Sequence, residues 1–148
     1  MLTGLAALVL ATLFTGAALY VSLAEHPARM TIGDGPLLAE WKLSYKRAAP
    51  FQAGLAALGG LAGLAAGFML KDWRWLFGGV VLLANWPVTL VVIMPVNKAL
   101  MSTPPEKAGA QSRAMLERWG RLHDVRSALG AVAVLLFLCG LVADWGVQ

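Results

Sequence analysis

Four long, largely apolar segments constrain the fold of this chain more than any other feature of its sequence. They lie at about 2–23, 51–70, 76–96 and 122–143, and about 20 apolar residues suffice for a helix to cross the hydrocarbon core of a bilayer. A hydrophobic fraction of 59% and a charged fraction of 14% are outside the range of soluble domains. We therefore predict that residues 1–148 form a single integral membrane domain, an all-α bundle of four transmembrane helices.

The distribution of basic residues predicts how this bundle lies in the membrane. Of the 12 Lys and Arg residues, four fall within 24–50, six within 97–126 and two in the short turn after the second segment. Because basic residues favour the cytoplasmic side, we expect loops 24–50 and 97–121 in the cytoplasm and both termini outside, in a bacterial inner membrane. The net charge of +4 then reflects topology and contacts with lipid head groups, and not a nucleic-acid partner.

The fourth and first apolar segments bear on two further questions, disulfide chemistry and signal-peptide cleavage. Cys139 is the single cysteine and lies in the fourth segment, so thiol–disulfide chemistry that needs a cysteine pair is excluded. The first segment has a signal-peptide-like end, but no basic residue precedes it and it is too long for a usual signal sequence. We interpret it as a retained helix.

The connection between the first two spans contains an amphipathic segment. Pro27 disfavours helical geometry at His26, which predicts a turn there. Within residues 36–47, Leu37 and Trp41 share one helical face opposite charged residues. This pattern predicts a short interfacial helix between spans 1 and 2.

The second span carries a regular stripe of small residues. Gly59, Gly63 and Gly67 recur every four residues, a spacing that lets two membrane helices approach closely. We expect the stripe to be a packing groove for the third span. The alternative is a second copy of the chain, which would make the protein a homo-oligomer through this face.

The third span contains two prolines and Asn85, and a second asparagine, Asn97, directly follows it. Pro87 and Pro95 each remove a backbone donor and predict kinks, which a bilayer tolerates only where neighbours or water satisfy the freed carbonyls. Asn85 and Asn97 would face about 120° apart on an uninterrupted helix, so they need not meet. A buried asparagine is often an interhelical tie, and that interpretation stays open for both.

The chain has 2 histidines, and each lies at a membrane boundary. Offsets of four and seven residues place Trp119, His123 and Arg126 on one helical face. Because both long loops are predicted on the cytoplasmic side, five polar residues are expected at the same depth near that face of the membrane: Glu25, His26, Asn97, His123 and Arg126. Ionisable groups at such a boundary are costly, so they suggest a functional site, and imidazole is suited to proton transfer near neutral pH.

A metal site remains an alternative interpretation of the same residues. His26 and His123 could bind a metal with Glu25 or Asp124 as a third ligand, or could hold a haem. The sequence contains no His-x-x-His or Glu-x-x-His pair, so the metal signal is weak. The cofactor is therefore either none, or a metal or haem bound by the two histidines.

Several of these motifs together resemble the anthrone oxygenase-like family of small four-helix membrane proteins. The resemblance spans nearly the whole chain, beginning with His26-Pro27 and including Asn85-Trp86-Pro87. Its most specific pieces are Pro95-x-Asn97-x-x-Leu100 and Trp119-x-x-Leu122-His123-x-x-Arg126.

What the resemblance implies is a reaction with dioxygen. Fungal members oxidise a polyketide anthrone to an anthraquinone, without a well-established cofactor. From residue type and predicted depth in the membrane, we hypothesise that His123 or His26 is the base. Asn97 or Arg126 would then bind the developing oxyanion. Aromatic and amide side chains would bind the ring of the substrate: Trp86, Trp119, Asn85, Trp41 and Tyr45.

The function predicted from the sequence is thus oxidation of a hydrophobic phenolic or quinol-like molecule that enters from the lipid bilayer. Two other classes stay open. One is a metal- or haem-binding membrane protein, and the other is a non-enzymatic small-molecule carrier or assembly subunit.

Overall fold

The bundle has four helices that are long and apolar enough to cross a membrane. The computed structural model describes residues 1–146, with side chains to residue 143. The four spans are Leu2–Arg29, Asp34–Leu70, Trp73–Ser102 and Ala110–Ala143. The first span packs against the second and fourth, and the third packs against the same two. The predicted all-α, four-span membrane fold is confirmed.

The first span does not end at the proline, as the sequence had predicted. Helix α1 (Leu2–Tyr20) continues through a π-helical segment (Val21–Glu25) into α2 (His26–Arg29). His26 has helical angles, φ −66° and ψ −47°, so the predicted turn at this residue is wrong. Pro27 follows the π-helical segment, and local π adjustments of this kind let a continuous helix accommodate a proline.

The apolar segment 51–70, predicted as the second span, is the C-terminal part of a longer helix. Helix α3 (Asp34–Leu70) has 37 residues and contains Pro50. The amphipathic segment 36–47 is helical, as predicted, but it is continuous with the second span and is not a separate interfacial helix. At about 1.5 Å per residue, α3 is roughly 55 Å long, well beyond the ~30 Å hydrocarbon core.

The third span departs from a regular α-helix near both of its prolines. It consists of α4 (Trp73–Leu83), α5 (Asn85–Pro87), a π-helical segment (Val88–Ile93) and α6 (Met94–Ser102). At the first break, Nδ2 of Asn85 donates to the carbonyl oxygen of Leu82 at 3.0 Å. A side chain therefore satisfies a backbone acceptor beside the interruption.

The glycine stripe of the second span packs within the chain. Close packing against the third span, as predicted, is seen at all three positions: Gly59 meets Leu82, Gly63 meets Gly79 and Gly67 meets Leu76. These glycines are buried. The face named for a second copy is therefore covered by the third span and offers no free surface at these positions.

The fourth span belongs to a long helix that begins before its apolar segment. A short 3-10 turn (Pro105–Lys107) leads to helix α7 (Ala110–Gly146), which has 37 residues. Near its start, the Arg113 guanidinium binds the Asp34 carboxylate at 2.6 Å and the carbonyl oxygens of Met30 and Ile32 at 2.9 and 2.7 Å. This arginine fixes the connection between the first two spans against the fourth.

Candidate functional site

A cavity of about 220 Å³ lies between the broken third span and the second and fourth spans. Its walls are mostly apolar, with polar and aromatic side chains that the sequence had singled out. Six predicted site residues line it: Tyr45, Asn85, Trp86, Asn97, Trp119 and Arg126. Concave, largely apolar cavities with a few convergent polar groups are typical of small-molecule sites.

The π-helical segment explains why both asparagines reach this cavity. On a regular helix the 12 residues from Asn85 to Asn97 correspond to a rotation of about 120°. A π turn holds one extra residue, which reduces the effective offset to about 20°. The two amides therefore face the same cavity. On an uninterrupted α-helix they would have pointed in different directions.

Tyr45 links the second span to the third at the cavity wall. Its hydroxyl accepts a hydrogen bond from Nδ2 of Asn97 at 3.1 Å. Its ring stacks on the buried ring of Trp41, with centroids 5.0 Å apart and an interplanar angle of 8°. Trp41, predicted to bind substrate, does not line this cavity and instead supports Tyr45 from behind.

Three lining residues carry buried polar atoms that have no hydrogen-bond partner. These atoms are Oδ1 of Asn85, Oδ1 of Asn97 and Nε of Arg126. Leaving such atoms unsatisfied costs about 1–3 kcal/mol each, so native proteins rarely gather several of them. Two acceptors and one donor match an aromatic ligand that carries hydroxyl and carbonyl groups.

His123 lies beside this cavity, in a second and smaller one of about 20 Å³. The two cavities share Tyr45, Trp119 and Arg126 in their walls. The His123 ring is 3% exposed, and its Nδ1 lies 3.3 Å from the hydroxyl oxygen of Ser22. With Nδ1 occupied, Nε2 is the atom left to exchange a proton.

His26 is placed differently from His123. It lines neither cavity, and its Nε2 is so close to Gly120 that an added Cβ there would lie 2.5 Å away. The rings of His26 and His123 both pack against Trp119, at 5.3 and 5.0 Å between centroids. Both histidines thus contact the same tryptophan, but only His123 lies beside the larger cavity.

Glu25 is engaged by neighbouring side chains. Its carboxylate accepts a hydrogen bond from Ser44 at 2.5 Å and forms an ion pair with Arg29. Among the side chains that the structure describes, those of residues 1–143, no three or more His, Cys, Asp or Glu residues are grouped where they could hold a metal ion. His26, His123 and Glu25 are therefore not gathered into a three-ligand set.

Three polar residues of this region, two of them buried, were not predicted from the sequence. Arg29, 5% exposed, was interpreted only as a topology signal, although Glu25 precedes it at the four-residue spacing typical of helical ion pairs. Gln52 is 3% exposed and lines the small cavity. A lone polar residue at the start of an apolar span was the available signal. Ser44, which also lines the small cavity, carried no signal of its own.

Comparison with known proteins gives one family. The profile of the anthrone oxygenase family matches residues 41–136. The chain is also 28% identical over 151 residues to an anthrone oxygenase from Cryptosporiopsis sp. (strain 8999), an alignment that covers 95% of this chain and 86% of that protein. No solved structure matches the chain. The matched segment contains all six cavity residues and His123, but not His26.

Proposed function

This chain belongs to the anthrone oxygenase family, and we propose that it is a membrane-embedded oxygenase that oxidises a hydrophobic phenolic or quinol-like substrate with dioxygen. One observation carries the proposal beyond the family. Asn85, Asn97 and Arg126 each direct unsatisfied hydrogen-bonding capacity to the wall of a single apolar cavity.

The cavity supports an aromatic substrate with oxygen substituents. Trp86 and Trp119 provide ring faces for stacking. The free amide oxygens of Asn85 and Asn97 accept from phenolic hydroxyl groups, and Arg126 donates to a carbonyl oxygen. Such a ligand satisfies atoms that the protein itself leaves without partners.

The cavity also supports entry from the bilayer. Trp86 and Leu90 line it and are 42% and 54% exposed on the outside of the bundle. In a membrane-spanning helix these surfaces face lipid. A hydrophobic substrate therefore reaches the cavity laterally, without crossing an aqueous phase.

In the proposed reaction a base removes a proton from the acidic substrate, and the resulting carbanion passes an electron to dioxygen. Arg126 stabilises the developing negative charge on the substrate oxygen. His123 is the base in this scheme, because it adjoins the larger cavity through the smaller one. His26 lines neither cavity and has a structural role against Trp119 and Gly120.

The site is proposed to lie towards the cytoplasmic side. Both long helices extend beyond a hydrocarbon core on the side of loops 24–50 and 97–121. These loops carry most of the basic residues. The positive-inside tendency supports a cytoplasmic location for them.

The test is turnover by purified full-length protein in lipid nanodiscs supplied with a hydroxylated anthrone and air. Oxygen uptake and quinone absorbance are both measured. Loss of a general base costs roughly 10²–10⁴-fold, so His123→Ala is expected to lose at least roughly a hundredfold in kcat, whereas His26→Ala retains most activity. Undiminished turnover by a His26→Ala/His123→Ala double variant would refute the histidine mechanism. Tight binding without oxygen uptake would instead identify a carrier.

A further inference from the structure

We propose that Ser44 and Glu25 form a proton-release path that connects His123 to the surface of the protein through the small cavity. The inference rests on the proposed function, since it concerns the proton that His123 takes from the substrate. It adds two residues to the reaction that neither contact the substrate nor line the larger cavity.

The small cavity has the size and the chemistry of a site for one water molecule. Its volume is about 20 Å³, and a buried water needs roughly 10–15 Å³ together with two to four polar partners. Polar side chains from three spans line it: Arg29, Ser44, Gln52 and His123. A cavity with this lining holds water in preference to remaining dry.

His123 meets this cavity with one free ring nitrogen. Its Nδ1 is 3.3 Å from Ser22 Oγ, which in turn lies 3.0 Å from Ser127 Oγ. These two serines hold one edge of the ring in place. Nε2 is therefore the atom that exchanges a proton with the cavity water.

Ser44 continues the path, because it also lines the small cavity. Its hydroxyl donates to Oε1 of Glu25 at 2.5 Å. The Ser44 hydroxyl oxygen accepts from Nη2 of Arg29 at 3.1 Å, which leaves one acceptor site for water. A serine that accepts from water and donates to a carboxylate can pass a proton in that direction.

Glu25 brings the path to the surface. Its side chain is 25% exposed, whereas the Arg29 side chain that pairs with it is 3% exposed. The ion pair holds the carboxylate beside Ser44. Glu25 therefore stands where a buried hydrogen-bond chain meets the outside of the protein.

The proton count closes at each step. The proton on Nε2 of His123 moves to the cavity water, one proton of that water moves to Ser44, and the Ser44 hydroxyl proton moves to Glu25. Glu25 then releases a proton to solvent. His123 is returned to its neutral form, and no electron moves along the path.

The decisive experiment separates proton transfer from ion pairing. Glu25→Gln retains the size of the side chain and removes its ability to carry the proton. With a hydroxylated anthrone in weakly buffered solution, kcat is expected to fall roughly tenfold, at the low end of acid–base effects. Added imidazole is expected to restore much of the rate, because a small buffer can replace a missing proton carrier but cannot repair misplaced helices.

Glu40→Gln is the matched control. Glu40 also pairs with Arg29, at 2.8 Å, but it lies outside the path. We expect wild-type kcat and no effect of imidazole. Ser44→Ala is a smaller change and is expected to show the same lower kcat and the same rescue by imidazole as Glu25→Gln. It replaces Glu25→Gln in the test if that variant does not fold.

The outcomes are distinguishable. A wild-type kcat in both Glu25→Gln and Ser44→Ala would overturn the path alone, and so would a reduced kcat that imidazole does not raise. Absence of oxygen uptake by the wild-type protein would overturn the proposed function and the path with it.

Discussion

The side-chain amide of Asn97 donates to the hydroxyl of Tyr45 at 3.1 Å, which joins the third span to the second beside the cavity. Because the nitrogen is used in this bond, the amide oxygen is the atom left without a partner. The hydroxyl of Tyr45 therefore determines which end of Asn97 is available to a ligand.

Tyr45→Phe tests this relationship. The ring remains to stack on Trp41, but the acceptor for Asn97 is lost, which is expected to cost about 1 kcal/mol in stability. We expect kcat/KM to fall roughly tenfold, the equivalent of one hydrogen bond of about 1.4 kcal/mol. Tyr20→Phe is the control, because Tyr20 is 62% exposed and lines neither cavity. An unchanged kcat/KM in Tyr45→Phe would contradict the role.

Trp86→Ala tests the aromatic wall and the lateral entrance. Loss of a stacking partner is worth about 0.5–1.5 kcal/mol, so KM is expected to rise roughly three- to tenfold with a smaller change in kcat. Trp73→Ala, in the same span but 65% exposed and away from the cavity, should leave both constants unchanged. Equal effects in the two variants would argue against a specific role for Trp86. Steady-state kinetics in nanodiscs provide the measurement.

Gly120→Ala tests the close packing around His26. The new Cβ would lie 2.5 Å from Nε2 of His26, and overpacking of this kind costs about 1–3 kcal/mol. We expect a lower thermal unfolding temperature. Gly54→Ala serves as control, since nothing lies within 4 Å of its added Cβ and alanine favours a helix. If both variants unfold at the wild-type temperature, His26 is not confined as described.

Phe137→Ala tests the packing of the spans at the end away from the site. Phe137 fits against Gly63 and Gly78 and stacks on Trp75 at 5.3 Å. Its removal leaves a void, and such truncations cost about 3–5 kcal/mol. Leu135 lies on the same helix and is 61% exposed, so Leu135→Ala should cost far less stability. The free energy of unfolding of both variants is measured by titration with a denaturing detergent. Equal losses of unfolding free energy in the two variants would contradict the packing role of Phe137.

The parts of the fold that the sequence predicted correctly depend on length and period. An apolar segment long enough to span a bilayer has few alternatives to a helix, so all four spans were predictable. The shared face of Trp119, His123 and Arg126 was also predictable, because no break interrupts α7 between them.

The parts that were not predicted depend on local departures from the α-helical period. Pro27 was expected to end the first helix, but a π-helical segment precedes it and the helix continues. That continuation brings Glu25 and Arg29 one turn apart, and it was needed to recognise Arg29 as a buried ion-pair partner. A basic residue at a membrane boundary is compatible with both topology and burial, and the sequence alone does not separate the two.

The π-helical segment of the third span has a genetic consequence. Loss of one codon within Val88–Ile93 would remove the extra residue and return the backbone to α geometry, and Asn85 and Asn97 would keep their offset of about 20°. Both amides would still face the cavity. Loss of a second codon would rotate one amide by about 100° away from the other. A protein of this architecture can therefore lose one residue from this helix and keep its cavity wall, but a second deletion changes which side chains line the cavity.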